Sequence, residues 1–163
     1  MGVRSFFILN RALLCKLSWR FAVERESLWK LVISRKFGVE RGGWSTREVR
    51  EVYEVGLWKE IRKEGSLMFK KIAFLLGDGR RVRFWKDNWC RNKTLCDFFP
   101  SLYALVDSKD AWVADCWDSL GEEGGWNPRF SKSFNDWEVE AVESFLLTLQ
   151  GKQLVFDFKD RVV

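Results

Sequence analysis

Residues 76–89 read Leu76-Gly77-Asp78-Gly79-Arg80-Arg81-Val82-Arg83-Phe84-Trp85-Lys86-Asp87-Asn88-Trp89. The apolar run Ile72-Ala73-Phe74-Leu75-Leu76 leads into this stretch, and Arg81-Val82-Arg83-Phe84-Trp85 leads out of the glycines towards aromatics. An Asp-Gly centre favours positive φ, which glycine adopts without strain. The stretch therefore predicts strand, tight turn, strand: a β-hairpin over about 72–86. On a strand alternate side chains share a face, which sets Arg81 and Arg83 on one side and Val82 and Phe84 on the other.

Upstream, Phe6, Leu9, Leu13, Leu17 and Phe21 recur at helical steps, with Arg11, Lys16 and Arg20 between them. The pattern predicts an amphipathic helix over 8–24. Ser27 as N-cap and Gly38 as terminator frame a second helix over 28–36. A third is expected from about Thr46, interrupted at Gly56, continuing over 57–63 and ended by Glu64-Gly65.

Downstream, 95–100 is expected to be extended or a turn, because the residue before Pro100 disfavours α geometry. One or two helical turns follow over 102–106, and the glycines of 121–128 mark a loop. Asn135 and Glu138 have capping-box spacing and open a final helix. Its apolar face holds Trp137, Ala141, Val142, Phe145, Leu146 and Leu149. Residues 154–158 alternate as a strand does. The fold class expected is α+β, mainly helical, with one hairpin, as an incomplete part of a larger fold. Residues 1–120 read as a helical connector with a central hairpin and a basic front part. Residues 121–163 read as loop, capped helix and terminal strand of the same or an adjoining unit.

The chain has 163 residues, a hydrophobic share of 47% and 10 Trp, which suits one domain with a real core and excludes a disordered chain. No apolar run approaches the length of a membrane span, and no secretory leader is legible, so an intracellular protein with no membrane partner is expected. The chain has 4 Cys (Cys15, Cys90, Cys96 and Cys116), with no Cys-x-x-Cys pair and no His. Free thiols are expected, and a histidine-containing zinc site or a His-dependent nucleophile cannot be built within it. Residues 1–94 hold 22 Lys and Arg against 10 Asp and Glu, while residues 95–163 hold 6 against 13. A basic front half fits a phosphate-bearing partner, RNA or DNA. Alternatively it faces the acidic back half within one fold.

Several segments carry a family resemblance. Gly77-Asp78-Gly79, Arg81-Val82-Arg83-Phe84-Trp85, Lys86-Asp87-Asn88-Trp89-Cys90 and the run 94–105 (TLCDFFPSLYAL) resemble the C-terminal region of plant LINE-type (non-LTR) retroelement polyproteins. Asn10–Leu14, Trp19-Arg20-Phe21, Gly42-Gly43-Trp44, Gly56–Lys59, Ala111–Asp115 and Asn135–Glu138 are similar to further parts in the same order. Such chains are often labelled reverse transcriptase or ribonuclease H proteins. The resemblance implies a connector: the polymerase core lies upstream of it in the family, and a zinc-binding segment, sometimes with a ribonuclease H domain, lies downstream. The parent activity it implies is RNA-directed DNA synthesis. The polymerase signature, Tyr or Phe followed by Ala-Asp-Asp, is absent here, so neither catalysis nor a cofactor is expected.

The strongest candidate for function is the basic–aromatic run Arg80, Arg81, Arg83, Trp85, Lys86, Trp89, Arg91 and Lys93. Guanidinium groups hold phosphates and indoles stack on unpaired bases. The binding reading assigns Arg80, Arg81, Arg83 and Lys86 to the backbone of RNA or DNA, with Trp85 or Trp89 stacking. The competing reading is a solvated strand face with Phe84 and Trp85 in the core. Asp78 and Asp87, or Asp157 and Asp160, would serve Mg²⁺ chemistry if drawn together; turn and surface roles are the expectation for all four.

Overall fold

The computed structural model describes residues 2–48, 56–120 and 124–163. It divides into two compact units, Met1–Ile72 and Ala73–Val163. The architecture is α+β and mainly helical, with short antiparallel strand pairs.

Unit one is built from α1 (Gly2–Val23), α2 (Leu28–Phe37) and α3 (Gly56–Phe69). α1 buries Leu14, Ser18 and Phe21, which corrects the expected apolar face: Phe6, Leu9 and Leu13 are exposed, because the close crossing with α3 selects the side that carries the small Ser18. At the crossing with α3, Ser18 Oγ donates to the Ile61 carbonyl at 2.8 Å and Arg11 Nε pairs with Glu64 at 3.0 Å. A Cβ on Gly65 would lie 2.5 Å from Ser18 Oγ, so a side chain there would push the helices apart. This corrects the expectation that Glu64-Gly65 ends the helix: α3 runs through both because each serves the contact with α1. Ser27 takes the extended N-cap conformation but its side chain makes no cap bond. Lys30 donates instead to the Phe21 carbonyl near the end of α1, as a cation at a helix C-terminus does. The helix expected from Thr46 does not start there: Thr46 forms an isolated antiparallel bridge with Val39. The rest of that segment, 49–55, lies outside the described residues.

Unit two begins with β1 (Phe74–Leu75) and continues through α4 (Leu95–Phe98), α5 (Pro100–Ala104) and a 3₁₀ turn at Val113–Cys116. It ends with β2 (Trp117–Asp118), β3 (Gly125–Trp126), α6 (Asp136–Leu149) and β4 (Arg161–Val162). The expected hairpin over 72–86 does not form. β1 pairs antiparallel with β4, Phe74 opposite Val162 and Leu75 opposite Arg161. The outgoing arm turns elsewhere: Val113 N donates to Val82 O at 2.9 Å, and Phe84 N to Ala111 O at 2.8 Å. The two arms of the Gly-Asp-Gly stretch therefore have different partners, each distant in sequence.

The physical reason lies at the turn. Only Gly79 has positive φ there, at 68°, so the mirror-image geometry that closes two-residue hairpins is absent. The fully buried Asp160 carboxylate supplies what a hairpin partner would: it accepts from Gly77 N at 2.8 Å, Gly79 N at 3.0 Å and Arg81 N at 2.8 Å. Gly77 lies against the Phe158–Lys159 backbone with no space for a Cβ. The strand expected at 154–158 is displaced accordingly. Residues 156–158 form a turn, and the strand is β4, three residues later.

The segment before Pro100 is helical rather than extended: α4 ends at Phe98, Phe99 breaks the geometry, and Pro100 opens α5 at the position where proline is tolerated. The hairpin in this unit pairs β2 with β3, within and beside the stretch read as loop. The capping box of α6 forms, with Asn135 N donating to Glu138 Oε2 at 2.8 Å. Its buried face is Phe145, Leu149 and Glu138, whereas Trp137 is 66% exposed. The core is aromatic. Trp85 stacks on Phe145 with centroids 5.3 Å apart, and Phe84 contacts Trp85, Trp89, Trp126 and Phe145. The four cysteines are free thiols, and burial pushes the Cys116 thiol up to about 12.

Candidate nucleic-acid interface

The alternation read along 80–84 is present even without the hairpin. Val82 and Phe84 are fully buried, Arg81 and Arg83 half-buried, and Arg80 exposed. The segment is not a strand: Val82 and Phe84 are tied to Val113 and Ala111 around an isolated antiparallel bridge between Arg83 and Trp112, which turns their side chains into the core.

The aromatic half of the candidate site does not reach the surface. Trp85 is 1% exposed and Trp89 6%. The Trp89 indole N–H is committed to the Phe84 carbonyl at 2.8 Å. Neither ring can stack on a base in this fold, which corrects the assignment of Trp85 or Trp89 as stacking residues. Their apolar bodies contribute to the unit's core, where an aromatic side chain gains most.

The cations divide into two kinds. Arg83 holds Asp87 through Nη2 at 2.9 Å, and Asp87 also accepts the Arg83 backbone N–H at 2.7 Å. Lys86 bonds Asp110 at 2.7 Å; that bond raises the lysine and lowers the aspartate from their ordinary values. A phosphate would have to compete with these carboxylates. Arg80 stands exposed, and Arg91 lies over the Phe98 ring at 5.8 Å.

The carboxylates are not drawn into a metal site. Burial works to raise Asp78, but the Lys159 ammonium at 2.8 Å and the Arg80 N–H outweigh it, and the group lies below the usual range. Asp87 serves Arg83 and Asp160 serves the glycine turn. Among the described residues no group of three or more His, Cys, Asp or Glu is placed to hold a metal. A cavity of about 400 Å³ beside Trp85 is lined by Asp107, Asp115, Cys116 and Arg129. Two carboxylates against one guanidinium do not favour a phosphate there.

Reading along the sequence missed a second basic surface. Residues 1–72 hold 16 Lys and Arg against 8 Asp and Glu, a net +8; residues 73–163 hold 12 against 15, a net −3. Of the net +12 of residues 1–94, +8 lies in unit one and +4 in residues 73–94, which include the run Arg80–Trp89. In unit one, Phe37 and Trp58 stack with centroids 5.6 Å apart and planes 13° from parallel. Lys36 lies 5.4 Å from the Phe37 centroid. Arg47 lies along Gly38 and donates to Val39 O at 2.9 Å, and Arg62 donates to Arg47 O at 2.7 Å. The signal available was the charge excess; its location needed the fold.

The class these features define is a mainly helical α+β chain that joins a basic helical unit to an aromatic-cored one. No family profile matches it, and no solved structure does. Over 122 residues the chain is 30% identical to an Arabidopsis thaliana protein named "Putative ribonuclease H protein". The match covers 69% of this chain and 19% of that protein, so the chain spans less than a fifth of the relative's length. No helix among the described residues is long and apolar enough to cross a membrane.

Proposed function

We propose that this chain is a non-catalytic piece of a plant LINE-type retroelement polyprotein, corresponding to the connector between polymerase core and zinc-binding segment. Its contribution is sequence-independent binding of RNA or DNA by the basic front half. The observation that carries the binding is the net +8 of residues 1–72, which attracts a polyanion whatever its sequence. The similarity to the Arabidopsis protein supports the retroelement assignment. The non-catalytic reading is supported by the engagement of Asp78, Asp87 and Asp160 with protein donors.

The test is binding of a fluorescent single-stranded RNA by the full chain across a salt series. Affinity is expected to fall with salt with a log–log slope of about −0.7 per phosphate contacted. Binding without salt dependence, or none at 50 mM salt, rejects the reading. A second reading, a scaffold with no activity of its own, is favoured by one observation. Phe6, Phe7, Ile8, Leu9 and Leu13 on α1, and Val155, Phe156 and Phe158 near the C-terminus, are exposed. A chain that melts broadly and binds no RNA would establish that alternative.

A further inference from the structure

We infer that the principal nucleic-acid contact lies not at Arg80–Trp89 but on unit one, where Lys36 and Arg47 lie beside the stacked pair Phe37 and Trp58. The inference rests on the reading that the chain binds nucleic acid and assigns that binding to a different surface. The partner it fits is single-stranded RNA or DNA, because the surface joins cations to an aromatic ring that no duplex groove would accept.

The arrangement follows from local structure. The last turn of α2 carries Arg35, Lys36 and Phe37, and Gly38 turns the chain at a φ of 69°. The return segment pairs Val39 with Thr46 and so brings Arg47 back alongside Gly38, where a Cβ would meet the Arg47 side chain at 3.3 Å. From α3, Trp58 donates its indole N–H to Thr46 Oγ1 at 3.2 Å, which fixes its plane against Phe37. One turn on, Arg62 reaches the Arg47 carbonyl. The end of α2, the return segment and α3 thus converge on one aromatic pair, with Lys36 at the Phe37 ring and Arg47 at the adjoining Gly38. Lys36 and Arg47 are exposed; Phe37, Trp58 and Arg62 are half-buried.

The chemistry differs from that of the run at 80–89. There the indoles are buried and two of the cations hold carboxylates. Here the rings are partly open, and Arg47 is positioned by the Val39 carbonyl, which leaves its charge in place. Glu40 and Glu48 lie on the same return segment, and Glu40 bonds Ser45. A base seated on Phe37 would take the place of the Lys36 ammonium at that ring and free it for the adjoining phosphate.

The experiment measures binding of a fluorescent single-stranded oligonucleotide, RNA and DNA in turn, by the full chain. It compares the parent, Lys36→Gln/Arg47→Gln and Arg80→Gln/Arg81→Gln from 50 to 300 mM salt. Near-UV circular dichroism confirms the fold of each. Removing Lys36 and Arg47 is expected to reduce the salt slope by about 1.4 and the affinity at 100 mM by roughly tenfold or more. Arg80→Gln/Arg81→Gln is expected to change affinity less than threefold. Phe37→Leu, which keeps apolar volume and removes the ring, is expected to weaken binding several-fold with an unchanged slope. Loss confined to Arg80→Gln/Arg81→Gln overturns this assignment and leaves the general binding proposal standing. Equal loss in both double variants, the sign of undirected charge, overturns it as well. No salt-dependent binding by the parent removes both readings.

Discussion

The two units spend their apolar residues differently. Among the described residues, unit one buries five of the core's apolar side chains and exposes eleven large ones; unit two buries fourteen and exposes eleven. Unit one is held by a narrow crossing of α1 and α3 around Ser18, Ile61 and Gly65, and it carries the chain's positive charge. Unit two is held by a ring cluster around Phe84, Trp85 and Phe145 and by a buried carboxylate. Closeness of backbones matters in the first and depth of burial in the second.

The sharpest way to break the comparison is Asp160→Ala. Two buried N–H groups and one partly buried one lose their acceptor, at about 1–3 kcal/mol for each buried group, so a loss of about 3 kcal/mol is expected. Urea unfolding followed by near-UV circular dichroism reads it; a loss under about 1 kcal/mol would mean that the turn holds itself. Next is Gly65→Val, which drives a branched side chain into Ser18 and should cost about 1–3 kcal/mol through the α1–α3 crossing. Far-UV melting of that variant should be partly restored by adding Ser18→Gly. An unchanged melt would show that the crossing is not tight.

A smaller effect comes from Glu138→Ala, which removes the reciprocal cap of α6 and should cost about 1 kcal/mol in thermal unfolding. The pH dependence has a defined sign. The folded pKa of Asp78 is lower than its unfolded value, so its stabilisation is complete above the ordinary carboxylate range. That stabilisation is lost as pH falls through the folded pKa. Tm measured from pH 6 to 2 should therefore decline more in the parent than in Asp78→Asn, and parallel declines would sink the assignment.

The smallest stability effect belongs to Phe6→Ser/Phe7→Ser, since Phe6 is 73% exposed: Tm should change little while binding of a hydrophobic dye falls. A large drop in Tm would mean that unit one buries this face.

Much of the chain was legible because its signals are local. The helices α1 and α6, the Asn135–Glu138 cap and the alternating burial of Arg81, Val82, Arg83 and Phe84 each depend on neighbours a few residues apart, and each is present, although which face of each helix is buried was decided by packing. What tertiary structure decided involves long separations. Gly77-Asp78-Gly79 is a turn in either reading, but its partners were chosen by Asp160, some 80 residues on, a residue with no local mark of its role. The run from Arg80 to Trp89 has the composition of a binding strip. Yet a tryptophan gains more from a deep core than from a surface, and Trp85 and Trp89 went inside. The charge excess was countable from the start. Which unit holds most of it, and that Lys36 and Arg47 lie beside Phe37 and Trp58, follow only from packing, because proximity across a fold is set by which apolar faces find each other.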